Sequence, residues 1–152
     1  MTFSQHAARH SSAILFYRVL WAITLPMFYW FMMNSFYDKL QLGFLFQLLL
    51  SGASLGMIGA AAVPETTGWR VPIHRYAAYG MAYLMCPIVF VITVQGKVNS
   101  GARIVLWGIA LWMLSGVIRS LIEKRTHGDR TLLYQATYIA LFHIAILTAY
   151  YV

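Results

Sequence analysis

The chain has 152 residues, of which 61% are hydrophobic and 10% charged, whereas charged residues make up roughly a quarter of an ordinary soluble domain. This composition excludes a water-soluble domain and predicts a single transmembrane domain over residues 1–152. The formal charge of +7 comes from basic residues at the ends of apolar runs, so we interpret it as an orientation signal and exclude nucleic acid as a partner. Cys86 is the single cysteine, which excludes an intrachain disulfide and a cysteine metal cluster.

The apolar runs predict an all-α integral membrane bundle of five transmembrane helices. We expect these helices at about residues 13–33, 41–63, 74–95, 103–122 and 132–152. The apolar run behind the polar first twelve residues is too long for a signal-peptide core, so it is predicted to remain as the first helix. Pro26 and Pro87 fall inside helices, where the missing N–H of proline predicts a kink.

Five spans put the two termini on opposite sides of a membrane. We call side A the one that holds the N-terminus and the second and fourth loops, and side B the other. The Lys and Arg residues divide eight to three: Arg9, Arg18, Arg70, Arg75, Arg119, Lys124, Arg125 and Arg130 on side A, and Lys39, Lys97 and Arg103 on side B. This bias predicts that side A is cytoplasmic, with the N-terminus inside and the C-terminus outside.

Small residues form a groove along the second predicted helix. Gly52, Gly56 and Ala60 recur every four residues, and Gly59 lies beside them. Such spacing is typical of surfaces where two helix backbones approach closely. Three interpretations remain open, namely packing against a helix of the same chain, a homodimer seam, and a groove for a lipid tail.

Polar side chains collect within about two helical turns of side A. The group consists of Arg18, Glu65, His74, Arg75, Arg119 and Gln135. Because its net charge is basic, it suits an anionic lipid head group, with the glycine groove receiving a tail, and it equally suits docking of another membrane subunit. Two members have alternatives of their own: Arg18 either snorkels to the surface or pairs inward, and His74 is either a solvated residue at a helix start or a proton donor or head-group ligand beside Glu65.

A second set of polar residues is predicted inside the membrane. Gln47 is expected at mid-membrane depth, Tyr83 belongs to a tyrosine stripe on the third helix, and His143 is expected near the midplane of the fifth. An ionisable side chain at that depth is a functional-site hypothesis by default. The alternatives are purely structural roles, namely core packing for the tyrosines and a hydrogen bond to a neighbouring helix for His143.

Haem and hydrolytic chemistry are disfavoured by spacing. His74 opens its helix while His143 lies about eleven residues into a parallel one, a difference in depth of roughly 16 Å, so the two imidazoles cannot clamp one haem iron. The ligands are too few for zinc, and HExxH does not occur. We therefore expect no cofactor and no catalytic residue.

The segment GMIGAAAVPETTGWRVPIHRYAA resembles an uncharacterised bacterial membrane family, the domain of unknown function DUF998, which is related in pattern to the damage-regulated autophagy modulator group. The matching residues are Gly56, Gly59, Pro64, His74, Ala77 and Ala78, together with GDRTLLYQ before the last helix. The likeness covers about residues 41–150. The family looks like six helices, so its first span has no counterpart here, which would reverse the side assigned to the histidine loop. The resemblance implies a bacterial inner membrane and brings no established activity.

These patterns together predict a non-enzymatic, multi-pass membrane protein. We expect it to bind anionic lipid or to act as an accessory subunit of a larger membrane complex, with a homo-oligomer as a further form of assembly. The alternative is a small redox protein, carrying haem or quinone, or a membrane hydrolase that uses His74 and His143.

Overall fold

A computed structural model of the chain describes residues 11–63, 68–122 and 131–152. Throughout these ranges the secondary structure is helical and contains no strand, so the predicted all-α bundle is confirmed. Glu65, a member of the predicted side A group, lies outside the described residues, as do Arg9, Lys124, Arg125 and Arg130.

The first span is longer than predicted. Helix α1 (Ser11–Trp30) continues through a π-helix (Phe31–Phe36) into the short helix α2 (Tyr37–Leu40), and the chain leaves the helix at Gln41, whose φ is +53°. The prediction ended this helix near residue 33 because polar residues follow. Asn34 and Asp38 are both exposed, so the helix accommodates them on its outer face and needs no loop until Gln41.

Four further helices follow: α3 (Phe44–Ala62), α4 (Arg70–Gln95), α5 (Ser100–Ile122) and α6 (Thr131–Tyr151). Helix α4 begins four residues before the predicted start because Pro72 lies in its first turn, where an N–H has no intrahelical acceptor and proline is tolerated. Helix α5 begins at an N-cap, where Asn99 Oδ1 accepts a hydrogen bond from the backbone N–H of Ala102 at 2.8 Å.

Among the described residues, four helices are long and apolar enough to cross a membrane: Ser12–Leu40, Phe44–Ala62, Arg70–Gln95 and Ser100–Ser120. Helix α6 is the remaining long helix. A side chain that the protein leaves exposed at these depths faces lipid rather than water.

Contacts between helix ends fix the up-and-down order. At side B the backbone N–H of Lys97 donates to Leu40 O at 3.0 Å, and Asn99 Nδ2 donates to Val152 O at 2.6 Å. At side A the start of α4 meets the end of α3, since His74 Nδ1 lies 2.7 Å from Val63 O. Successive spans therefore run antiparallel.

The core is concentrated toward side B. The largest fully buried side chains are Met32, Phe36, Leu40, Phe46, Leu50, Ile88, Val89, Ile92, Thr93, Leu106 and Met113. All but Met113 lie within eight residues of a helix end on side B, which is about 12 Å of helix. Among the described side chains near side A, Ala60 and His74 are the buried ones, so the bundle is closed at side B and looser at side A.

Candidate functional site

Two predicted site residues meet at the C-terminus of α3. Arg18 Nη2, from α1, donates to Ala62 O at 2.8 Å, and His74 Nδ1, from α4, lies 2.7 Å from the adjacent Val63 O. Because a carbonyl only accepts, Nδ1 carries the proton of His74 in this bond. The last carbonyls of a helix lack intrahelical donors and carry partial negative charge. Arg18 and His74 thus cap α3 and tie three helices together.

His74 is 4% exposed, so its interpretation as a solvated residue at a helix start is wrong. That interpretation placed the start of the helix at His74 itself. Since α4 begins at Arg70, His74 lies a full turn inside the helix. It shares a face with Met81, Met85 and Ile88, which lie 7, 11 and 14 positions further on.

The basic side chains of side A lie at one depth. Arg18 precedes Leu40 by 22 residues, His74 precedes Gln95 by 21, and Arg119 follows Ser100 by 19, so each lies about 28–33 Å from its helix end on side B. The hydrocarbon core of a bilayer is about 30 Å thick. If the side B ends lie at one interface, these groups reach the other.

Two more members of the group lie near this level. Arg75 follows His74 directly and is half-buried, while Arg119 is exposed. Gln135 precedes Tyr151 by 16 residues, which places it about 24 Å from side B and therefore deeper than the arginines. Direct contact with the end of α3 is described for Arg18 and His74.

The glycine groove is filled by α4. A Cβ added at Gly56 would lie 2.9 Å from Ala77 O and 3.1 Å from Met81 Cβ, and one added at Gly59 would lie 3.1 Å from Ala77 Cβ. A Cβ at Gly52 would meet Leu84 Cδ1 at 3.0 Å, and Ala60 is buried. Of the three interpretations of the groove, the structure shows packing against a helix of the same chain.

The structure does not bring together the predicted intramembrane polar residues. Gln47 is the fourth residue of α3, so it lies one turn from side B and not at mid-membrane depth as expected from a helix start at residue 41. Tyr83 Oη lies 3.2 Å from Ser120 Oγ of α5. His143 is exposed, and its Nδ1 lies 2.8 Å from Ile139 O of its own helix, not of a neighbouring one.

His74 and His143 also differ in depth. His143 precedes Tyr151 by 8 residues, which places it about 12 Å from side B, roughly 20 Å below His74. The two imidazoles therefore cannot ligate one haem iron. Within the described ranges no three His, Cys, Asp or Glu side chains lie close enough to hold a metal ion.

Sequence reasoning missed two features between α1 and the other helices. One is a partly open apolar pocket lined by Leu25, Phe28, Leu50, Ala53, Ser54, Met57, Met81, Met85, Ile88 and Phe142. The other is Trp21, whose buried Nε1–H has no acceptor in hydrogen-bonding geometry among the described residues. Helical spacing carried a signal for Trp21, which lies three positions after Arg18, but the pocket depends on how four helices diverge.

Taken together, the helices define the class of the protein, a polytopic α-helical membrane protein. Comparison with models of known protein families, with curated proteins and with solved structures finds no match. The likeness to the DUF998 family therefore stays a prediction.

Proposed function

We propose that the protein binds the head group of an anionic membrane lipid at side A, with Arg18 as the principal contact. The observation that carries the proposal is the position of this guanidinium, which is fixed by a hydrogen bond to Ala62 O at the depth of a membrane interface while the residue remains exposed. One N–H of the five is used in that bond, so others are available to a phosphate oxygen.

The surroundings of Arg18 support an anionic ligand. His74, Arg75 and Arg119 lie at about the same depth, so the local charge at side A is basic. An arginine binds phosphate through two parallel charge-assisted hydrogen bonds, and its energy gain is larger near a low-dielectric membrane than in water. The proposal involves no bond-breaking chemistry and no catalytic residue.

Docking of another membrane subunit is the second candidate. Exposed aromatic side chains at the start of α4 favour it, namely Trp69 directly before the helix and Tyr76 and Tyr79 within it, because aromatic residues are enriched where membrane helices meet a partner or an interface. A redox or hydrolytic function based on both His74 and His143 is not favoured, since the two side chains lie too far apart to act on one group.

The proposed membrane is the bacterial inner membrane with side A in the cytoplasm. The support is the eight-to-three division of basic residues. With Cys86 replaced by serine, Ser100→Cys on side B should react with a membrane-impermeant thiol reagent in intact cells and Trp69→Cys should not. The opposite pattern would reverse the orientation.

The lipid proposal is tested by native mass spectrometry of the purified protein in one detergent, with phosphatidylglycerol or phosphatidylcholine added. We expect the wild type to retain phosphatidylglycerol in preference to phosphatidylcholine. Arg18→Gln and Arg119→Gln should each bind phosphatidylglycerol with about tenfold lower affinity, as expected for loss of a charge-assisted hydrogen bond. The matched control is Arg103→Gln on side B, whose guanidinium also donates to a carbonyl, Gly96 O, at 3.2 Å.

Two further results distinguish lipid binding from binding of a free phosphate and from subunit docking. Glycerol phosphate at high concentration should not displace the lipid, because a free head group lacks the tails that keep the lipid in the membrane. Equal retention of phosphatidylglycerol by wild type, Arg18→Gln and Arg119→Gln would contradict head-group binding and leave subunit docking as the better account of side A.

A further inference from the structure

One face of α1 leads from the membrane interface to the apolar pocket. Arg18, Trp21, Leu25 and Phe28 follow each other at intervals of three, four and three residues, so they share a face of the helix. Arg18 contacts the end of α3 at the top of this face. Leu25 and Phe28 line the pocket at its bottom, so the face joins a charged site to an apolar one.

The pocket lies between four helices. Leu25 and Phe28 come from α1, Leu50 to Met57 from α3, Met81 to Ile88 from α4 and Phe142 from α6. Ser54 is the one polar residue among its lining side chains. The face of α4 that lines the pocket also carries His74, closer to side A. The faces of α1 and α4 that line the pocket therefore both lead to the C-terminus of α3, which Arg18 and His74 cap.

Trp21 lies between the charged and the apolar parts. Its indole N–H is buried and has no acceptor in hydrogen-bonding geometry among the described residues. Its polar neighbour is the side chain of Tyr17, whose ring stands edge-on at a centroid distance of 5.9 Å. Leaving a buried donor without a well-formed hydrogen bond is unfavourable, so a carbonyl acceptor at this level would form a stronger hydrogen bond than the Tyr17 hydroxyl does. Trp21 lies three residues below Arg18, about 4.5 Å along the helix.

We infer that this face binds one anionic glycerolipid, with a phosphate oxygen at Arg18, an ester carbonyl at the Trp21 N–H and one acyl chain along the open side of the pocket. Along α1 a cation, an N–H donor and apolar side chains follow each other. They match, in the same order, the phosphate, the ester carbonyl and the acyl chain of such a lipid. The inference rests on the proposed function and adds the location of the tail, which cannot be the glycine groove because α4 fills it.

Helix α1 exposes most of its surface to the membrane. In the most apolar stretch of the first span 6% of the residues are buried, against 39% in α4. The enclosed space of the pocket is about 20 Å³, about the size of one water molecule. An acyl chain would therefore lie along the open side of the pocket, and a hydrogen bond to the Trp21 N–H requires that lipid binding uncover this atom.

The test uses a protein that retains Trp21 alone, the other four tryptophans being replaced by phenylalanine, in vesicles of phosphatidylcholine. Lipids brominated in one acyl chain quench tryptophan fluorescence on contact. We expect brominated phosphatidylglycerol to quench Trp21 at about tenfold lower membrane fraction than brominated phosphatidylcholine, and Arg18→Gln to abolish this difference.

The matched control is a protein that retains Trp30 alone. Trp30 lies nine positions after Trp21 on the same helix, half a turn out of phase, and is 64% exposed. It should be quenched equally by both lipids because it faces the bulk membrane. Equal quenching of Trp21 by both lipids would overturn the inference, as would a preference that survives Arg18→Gln.

A second variant does not depend on the tryptophan replacements. Ser54→Leu fills the pocket without touching Arg18, and it should lower retention of phosphatidylglycerol about tenfold in native mass spectrometry, whereas Ser115→Leu on the exposed face of α5 should not. If Arg18→Gln lowers retention and Ser54→Leu leaves it unchanged, the head-group proposal stands and the tail location is wrong. If neither variant lowers retention, both fail.

Discussion

The two halves of the bundle are held together by different interactions. In the half toward side B, nine of the largest buried side chains pack into one core. In the half toward side A, the contacts include the glycine face of α3 against α4 and the hydrogen bonds from Arg18 and His74 to the end of α3. Tyr83 and Tyr138 add hydrogen bonds between helices, to Ser120 Oγ and Ala82 O respectively. In lipid, apolar burial alone contributes little to helix association, whereas close backbone packing and interhelical hydrogen bonds do contribute.

This comparison indicates that the two halves of the bundle contribute differently. The closed half holds the helix order, and the open half keeps polar side chains and a pocket accessible from the membrane. Regions that must admit a ligand are drawn from the less stable part of a fold. Three pairs of substitutions compare the halves directly.

The largest effect is expected from Gly56→Leu. Even a Cβ at this position would lie 2.9 Å from the backbone oxygen of Ala77, so α3 and α4 must separate, and a single added methyl group in a packed core already costs about 1–3 kcal/mol. We expect loss of the folded protein, measured as expression and monodispersity in detergent. Gly108→Leu is the control, because nothing lies within 4 Å of its Cβ position.

An unchanged melting temperature and oligomer size for Gly56→Leu would show that the open half does not depend on close packing of α3 and α4. Gly43→Leu, at the start of α3, is expected to be milder, since its Cβ would meet the flexible end of Gln95 at 3.2 Å.

The second pair compares the same change at the two ends of α4. Ile92 is fully buried near side B, whereas Ile73 near side A is 45% exposed. We expect Ile92→Ala to lower the free energy of unfolding by about 2–4 kcal/mol through loss of packing, and Ile73→Ala by less than about 1 kcal/mol. Thermal or denaturant unfolding in detergent measures both, and similar losses would mean that the side A half is packed as tightly as the core.

The third pair compares two histidines. His74→Ala removes a hydrogen bond between helices and leaves Val63 O without its donor, which should cost about 1–2 kcal/mol. His143→Ala removes a bond within one helix and should cost about 0.5 kcal/mol or less. A larger loss for His143→Ala would indicate that its contact with Phe28, at a ring distance of 6.0 Å, matters more than the α3 cap.

Hydropathy was sufficient to predict the helical class, the number of long helices and their alternation between sides, because each span must satisfy its backbone polar groups internally. Helix ends were less predictable. Asn34 and Asp38 resemble loop residues by type, and Pro72 resembles a helix stop, yet all three lie within helices. Whether a polar residue ends a helix depends on its exposure, which a single sequence does not reveal.

The candidate site was predicted in part. Arg18 and His74 were assigned to one side from span counting, and the structure adds that both donate to the same helix terminus. That convergence depends on how α1 and α4 approach α3, which no local pattern encodes. The pocket escaped detection for the same reason, since its lining residues are ordinary apolar side chains from four separate helices.

The π-helix of the first span has a consequence for tolerance of changes in chain length. A π-helix rotates less per residue than an α-helix. Over Phe31–Phe36 the backbone therefore turns about 100° less than a regular α-helix of the same length would, which is the rotation of one residue. Leu25 before this segment and Leu40 after it are both buried. Deleting one residue within the segment would convert it to a regular helix and preserve that alignment. Deleting one elsewhere in the span would turn one part of the helix away from the core, so a deletion scan should find its single permissive window there.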